Sequence, residues 1–160
     1  MEFRSKRGIE SRTLPARFKG DSVSTMHYEY AGDIMIVVHR DEAPGDDEWA
    51  AYVAEMERAT RAGEMRALLI LTPGVGPNAK QRNVVTSMWK RVGENPPTAV
   101  ITPSRFVRGV ITALNYFLPR QITAFSPGEE LEAVACVGGA PATRDAILER
   151  LGQLNARLAS

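Results

Sequence analysis

Cysteine is almost absent: Cys136 stands alone among 160 residues. An intramolecular disulfide is excluded, and so is a zinc site built on several thiolates. A dominant charge of one sign is also missing. Twenty Lys and Arg against nineteen Asp and Glu leave a net charge of +1. The chain as a whole therefore has no field to hold a polyanion, which argues against nucleic acid as a partner. No apolar run approaches the ~20 residues that cross a bilayer, so no transmembrane segment is expected. The first residues are basic but lack the apolar stretch of a secretory signal. Together with the single thiol, this makes the cytoplasm the expected location.

What is present is the composition of a globular protein, 44% hydrophobic and 24% charged. The length suffices for one domain with a core of its own. Residues 1–25 differ from the rest, with Arg4, Lys6, Arg7, Arg12, Arg17 and Lys19 set among few core-sized apolar residues. They read either as a basic arm for an acidic partner or as a flexible extension. The second is preferred, because termini without packing residues are usually poorly ordered. A folded domain is expected over 26–139, with a C-terminal helix over 140–160.

Periodicity gives the elements. His27–Tyr30 and Ile34–His39 read as strands joined by a turn at Ala31-Gly32-Asp33, hence a hairpin. Asp46 is the expected N-cap of a helix whose Trp49, Tyr52, Val53 and Met56 form one apolar face. Gly63 marks its end. Ala67–Leu71 is apolar on both faces, as in an interior parallel strand. A Gly/Pro loop leads from it into a helix with Val84, Val85, Met88 and Val92 inward and Lys80, Arg82, Lys90 and Arg91 outward.

The strand–helix unit then recurs. Thr98–Thr102 precedes a helix capped by Ser104, with Phe106, Val107, Val110, Ile111, Leu114 and Leu118 on one face and Pro119 as its stop. Gln121–Phe125 follows, and then a short helix with Leu131, Val134 and Ala135 inward. Thr143 is the expected cap of a last helix, with Ile147, Leu151, Leu154 and Leu158 at spacings of 4, 3 and 4. That stripe suits either a homodimer contact or packing on its own domain. The second is preferred, because two heptads are too few for a coiled coil. Alternating strands and helices give an α/β class with a mostly parallel sheet of about five strands, four helices and an extra C-terminal helix.

The order β-β-α-β-α-β-α-β-α over residues 26–139 resembles the STAS domain. The phrase Gly32-Asp33-Ile34-Met35-Ile36-Val37 is similar to the SpoIIAA-like branch, the anti-sigma-factor antagonists. Ile122-Thr123-Ala124-Phe125 followed by Glu129-Glu130-Leu131-Glu132-Ala133-Val134 resembles the last strand and helix of that family. The resemblance implies a non-catalytic, regulatory protein-interaction module. It also implies a phosphorylated serine at the start of the helix after the central strand. The matching loop, Gly74-Val75-Gly76-Pro77-Asn78-Ala79, holds neither Ser nor Thr, so this sequence departs from the switch. What the resemblance leaves for this chain is a partner-facing surface on Gly74, Val75, Gly76, Asn78, Lys80, Gln81 and Arg82.

The chemical motifs are weak. Gly74-Val75-Gly76 beside Lys80 and Arg82 suggests a phosphate loop. The Gly-Lys-Ser/Thr of a Walker loop and the third glycine of a dinucleotide fingerprint are both missing. His27 and His39 match no metal spacing and read as strand-end histidines. Cys136, in an Ala/Val-rich helix, reads as a small buried residue. Arg105, Arg108 and Arg120 beside Tyr116 and Phe117 suit a protein contact better than nucleic acid. No catalytic residue, metal or cofactor is expected. The leading expectation is a protein partner. The alternative is a carrier or sensor for a small apolar or anionic ligand held between the central helix and the sheet.

Overall fold

The structure is a computed structural model that describes residues 24–117 and 122–160. The basic segment 1–23 lies outside the described residues, as do Leu118, Pro119, Arg120 and Gln121 and the side chains of Leu114, Tyr116 and Phe117.

Strands β1 (Met26–Ala31) and β2 (Ile34–His39) form the expected hairpin, closed by Gly32 at φ 63°. The chain continues through α1 (Asp46–Arg61), β3 (Ala67–Leu71), α2 (Ala79–Val92), β4 (Thr98–Ile101) and α3 (Arg105–Phe117). It ends with β5 (Ile122–Phe125), α4 (Glu130–Cys136) and α5 (Pro141–Ala159). The five strands lie in sequence order, with β1 antiparallel to β2 and the other pairs parallel. This is the expected α/β class, as a mixed sheet with five helices.

Each parallel connection moves one strand further in the same direction. Right-handed crossovers therefore leave α1, α2 and α3 on one face. Strand alternation then divides the core in two. Ile34, Ile36, Val38, Ala67, Leu69, Ala99 and Ile101 point to α4 and α5, where Val134, Ile147, Leu151, Leu154 and Leu158 are buried. Met35, Val37 and Leu68 point the other way, toward Trp49, Tyr52, Val53 and Met56 of α1 and Met88 of α2. The leucine stripe of α5 is thus spent on its own sheet. Buried Glu29 of β1 reinforces this by accepting from Arg150 and Arg157 of α5, at 3.0 and 2.6 Å.

Several expectations are corrected. Gly45, not Asp46, is the N-cap of α1. The Asp46 carboxylate is turned to α2 instead, where Gln81 Nε2 and Lys80 Nζ both donate to it at 3.0 Å. Thr143 lies inside the first turn of α5, whose N-cap is Ala140. On α2, Val84 faces solvent, and buried Gln81 takes the inward position that an apolar reading passes over. On α4 only Ala133 and Val134 are buried. The helix has seven residues and offers the sheet a single narrow line, so Leu131, Ala135 and Cys136 are exposed.

The largest departure is α3. Its apolar face was expected inside, yet Phe106 is 80% exposed and Val110 42% exposed. The helix rests on β5, whereas α1 and α2 pack side by side. Its strand is at the sheet edge, and among the described residues no helix packs on α3 as closely as α1 and α2 pack on each other.

Candidate functional site

In open α/β sheets the usual binding crevice forms where the strand order reverses. Here the order never reverses. The site has to be sought within the layers.

The two central strands end alike, in Leu71-Thr72-Pro73-Gly74 and Ile101-Thr102-Pro103-Ser104. Both threonines are buried and fold the chain back locally. Thr72 Oγ1 donates to the Val75 carbonyl at 3.0 Å and accepts from the Gly74 amide at 3.3 Å. Thr102 Oγ1 accepts from the Ser104 amide at 3.2 Å, and Ser104 Oγ in turn accepts from Val107 N, capping α3 as expected. Gly74 has φ 126°, and a Cβ there would come within 2.9 Å of Ser104 Cβ. Only glycine fits that crossing of the two loops.

The start of α2 is fixed by a capping box between Asn78 and Gln81. Gln81 Nε2 also donates to the Pro44 carbonyl at 2.7 Å, and the Gln81 backbone carbonyl accepts from Trp49 Nε1 at 2.9 Å. Gln81 is 2% exposed. Of the residues assigned to a partner surface, it therefore holds the loop from inside. Lys80 and Arg82 are exposed, Lys80 paired with Asp46 and Arg82 donating to the Pro77 carbonyl at 2.8 Å. Gly76 and Asn78 are exposed; Gly74 and Val75 are half-buried.

Beneath this loop lies a cavity of about 270 Å³. Its roof is Trp49, Tyr52 and Met56 of α1 with Val85 and Trp89 of α2. Its floor is Leu68, Ile70, Val100 and Ile122 of the sheet. Val75, Gly76 and Pro77 close one end, and Val107 of α3 stands at the side. His39, Thr72, Thr98, the Tyr52 phenol and the Trp49 and Trp89 indoles supply polar groups, and no Asp, Glu, Lys or Arg lines it. Part of the expected partner loop is thus a wall of this space.

His39 ends β2 and follows Met35 and Val37 on their face of the sheet, by alternation. His27 pairs with Val38 and so belongs to the opposite face. The structure does not bring the two histidines together. His39 is 8% exposed, and its Nδ1 has no hydrogen-bond partner among the described residues. Burial pushes its pKa down to about 4, with the Glu48 charge opposing, so the ring is neutral at pH 7. Burial likewise raises the Tyr52 phenol. Among the described residues, no group of three or more His, Cys, Asp and Glu side chains is placed to hold a metal ion.

Sequence reading offered a ligand between the central helix and the sheet as the alternative, without the residues that would line its space. Trp49, Tyr52, Met56 and Val85 were legible as inward-facing residues, but whether inward residues fill their space is not written in periodicity. No protein-family model matches the chain, and no curated protein is significantly similar to it.

Proposed function

We propose that this protein is a non-catalytic binding module that holds a small apolar molecule in the cavity between α1, α2 and the sheet. The observation that carries this reading is the cavity itself, with apolar walls on every element and no charged side chain among its lining residues. Apolar pockets with a few placed polar groups are the usual form of a small-molecule site. An apolar void also leaves its lining atoms short of contacts, which a ligand would restore. The order of elements agrees with a STAS-like domain, a family that works by binding. Fold alone does not assign a function, and the weight rests on the cavity.

Titration with naphthalene, followed by thermal unfolding, tests the proposal. Ligand that binds only the folded state raises Tm with concentration. Val85→Trp, which would fill the space from α2, should keep the fold and abolish the shift. An unchanged Tm in the parent chain at saturating naphthalene contradicts the reading.

A second reading, docking of a partner protein, is favoured by one observation. Phe106 and Val110 stand exposed one helical turn apart on α3, and Lys80 and Arg82 of the loop before and into α2 are exposed as well. Charge reversal at Lys80 and Arg82 should then weaken partner binding without unfolding the domain. Unchanged affinity for a native partner would remove that loop from the interface.

A further inference from the structure

We infer that the cavity takes a neutral, mostly apolar molecule of about ten heavy atoms carrying one hydrogen-bonding group, which meets the His39 imidazole. This deepens the ligand-binding reading above and rests on it. The size follows from comparison. A cavity of about 150 Å³ accommodates benzene, and this one has about 270 Å³.

Neutrality follows from the walls. An ionised carboxylate or phosphate placed here would lose its hydration and find no counter-charge. None of the lining residues is Lys or Arg. Lys80 pairs with Asp46 in solvent, Arg82 donates to Pro77 O, and Arg40, next to His39 in the chain, does not line this cavity. His39 does not supply the charge either, because its burial keeps it unprotonated at pH 7. A cationic ligand fares no better, since no carboxylate lines the space.

The single polar group follows from what the wall leaves open. Of the other polar lining groups, Thr72 donates to Val75 O, Thr98 to Pro96 O and Trp49 Nε1 to Gln81 O, and neither the Tyr52 phenol nor the Trp89 indole is a fully buried group without a partner. His39 is different. Its Nδ1 is buried without a partner, and a neutral imidazole offers one donor and one acceptor. The ring lines the cavity, and a ligand group that displaced the atoms covering it would relieve the standing cost of an unsatisfied buried polar atom. Elsewhere on the wall, Leu68, Ile70, Val85, Val100 and Val107 offer only apolar contact.

The test is a calorimetric comparison of naphthalene, 2-naphthol and 2-naphthoate at pH 7 on the full chain, its His39→Phe variant and its His39→Gln variant. The parent should prefer 2-naphthol over naphthalene by about fivefold or more, the worth of one net hydrogen bond, and should bind 2-naphthoate weakest. His39→Phe keeps ring volume and should bring the preference near one. His39→Gln retains a donor and an acceptor and should keep part of it. Equal binding of naphthalene and 2-naphthol by the parent would overturn the role of His39 while leaving the cavity reading standing. Tightest binding of 2-naphthoate would overturn neutrality. Failure of all three probes would overturn the cavity reading and this inference with it.

Discussion

The two faces of the sheet are packed with different materials. Toward α4 and α5 the core is aliphatic: Ile34, Ile36, Val38, Leu69, Ile101, Ile147, Leu151, Leu154 and Leu158. Toward α1 and α2 it is aromatic and sulfur-rich: Met26, Met35, Trp49, Tyr52, Met56, Met65 and Met88, with Trp89 half-buried against them. Branched aliphatic side chains interlock from strand to helix and have few alternative rotamers. Large rings and flexible thioethers span wider gaps and adapt to what lies between them. The aliphatic face belongs to scaffold, and the aromatic face is where the cavity lies. The same division separates two amphipathic helices. The apolar stripe of α5 is buried, while that of α3 stands partly in solvent.

The contrast can be broken at its strongest point. Leu154→Ala on the aliphatic face should cost about 2–5 kcal/mol in urea unfolding, since a buried leucine is removed from a closed core. Val85→Ala, beside space that already exists, should cost under about 1 kcal/mol. Equal losses would mean that the two faces are packed alike.

Acid should act on the aromatic face next. The folded-state pKa of His39 lies below its ordinary value of 6.5, at about 4. Below 6.5 the unfolded chain takes up a proton that the folded chain refuses. The contribution is therefore fully present above pH 6.5 and is lost as pH falls toward 4. It amounts to no more than about 3 kcal/mol. Chemical denaturation of the parent and of His39→Gln between pH 7 and 5 measures it. The parent should lose stability more steeply, and parallel curves would place His39 in contact with water.

Gly74→Ala sharpens the comparison at the loop. Positive φ together with the approach to Ser104 should cost about 1–3 kcal/mol and should weaken naphthalene binding through Val75 and Pro77, as read by unfolding and titration together. The smallest effect is expected at α3. Phe106→Ser should change stability by less than about 0.5 kcal/mol, because the ring is 80% exposed and has little burial to lose.

Much of the fold was legible. The continuous, β-branched run Ile34–His39 and the 4-3-4 spacing of Ile147, Leu151, Leu154 and Leu158 carry their own physics, because so much apolar surface on one element has to be buried. The helix over 105–117 was legible as a helix, but not its exposure. Burial of its stripe depends on a helix packed beside it, as α2 packs beside α1, and strand order leaves α3 at the edge. The candidate site was half legible. The loop 74–82 stood out through its glycines and prolines, but it was read as a surface, whereas Val75, Gly76 and Pro77 also wall a cavity. Gln81 passed as a polar surface residue because its partners, Pro44 and Asp46, are brought to it only by the packing of α1 on α2. His39 read as an ordinary strand end, and its role emerges only from the burial around it.

The most direct test of the two-faced core is a titration with naphthalene followed through the methyl resonances of isotope-labelled protein. Saturable shifts should appear at Ile70, Val85, Val100 and Val107, which line the cavity. Ile147, Leu151 and Leu154 across the sheet should stay in place. Shifts confined to the α5 side, or no saturable shift anywhere, would contradict the account.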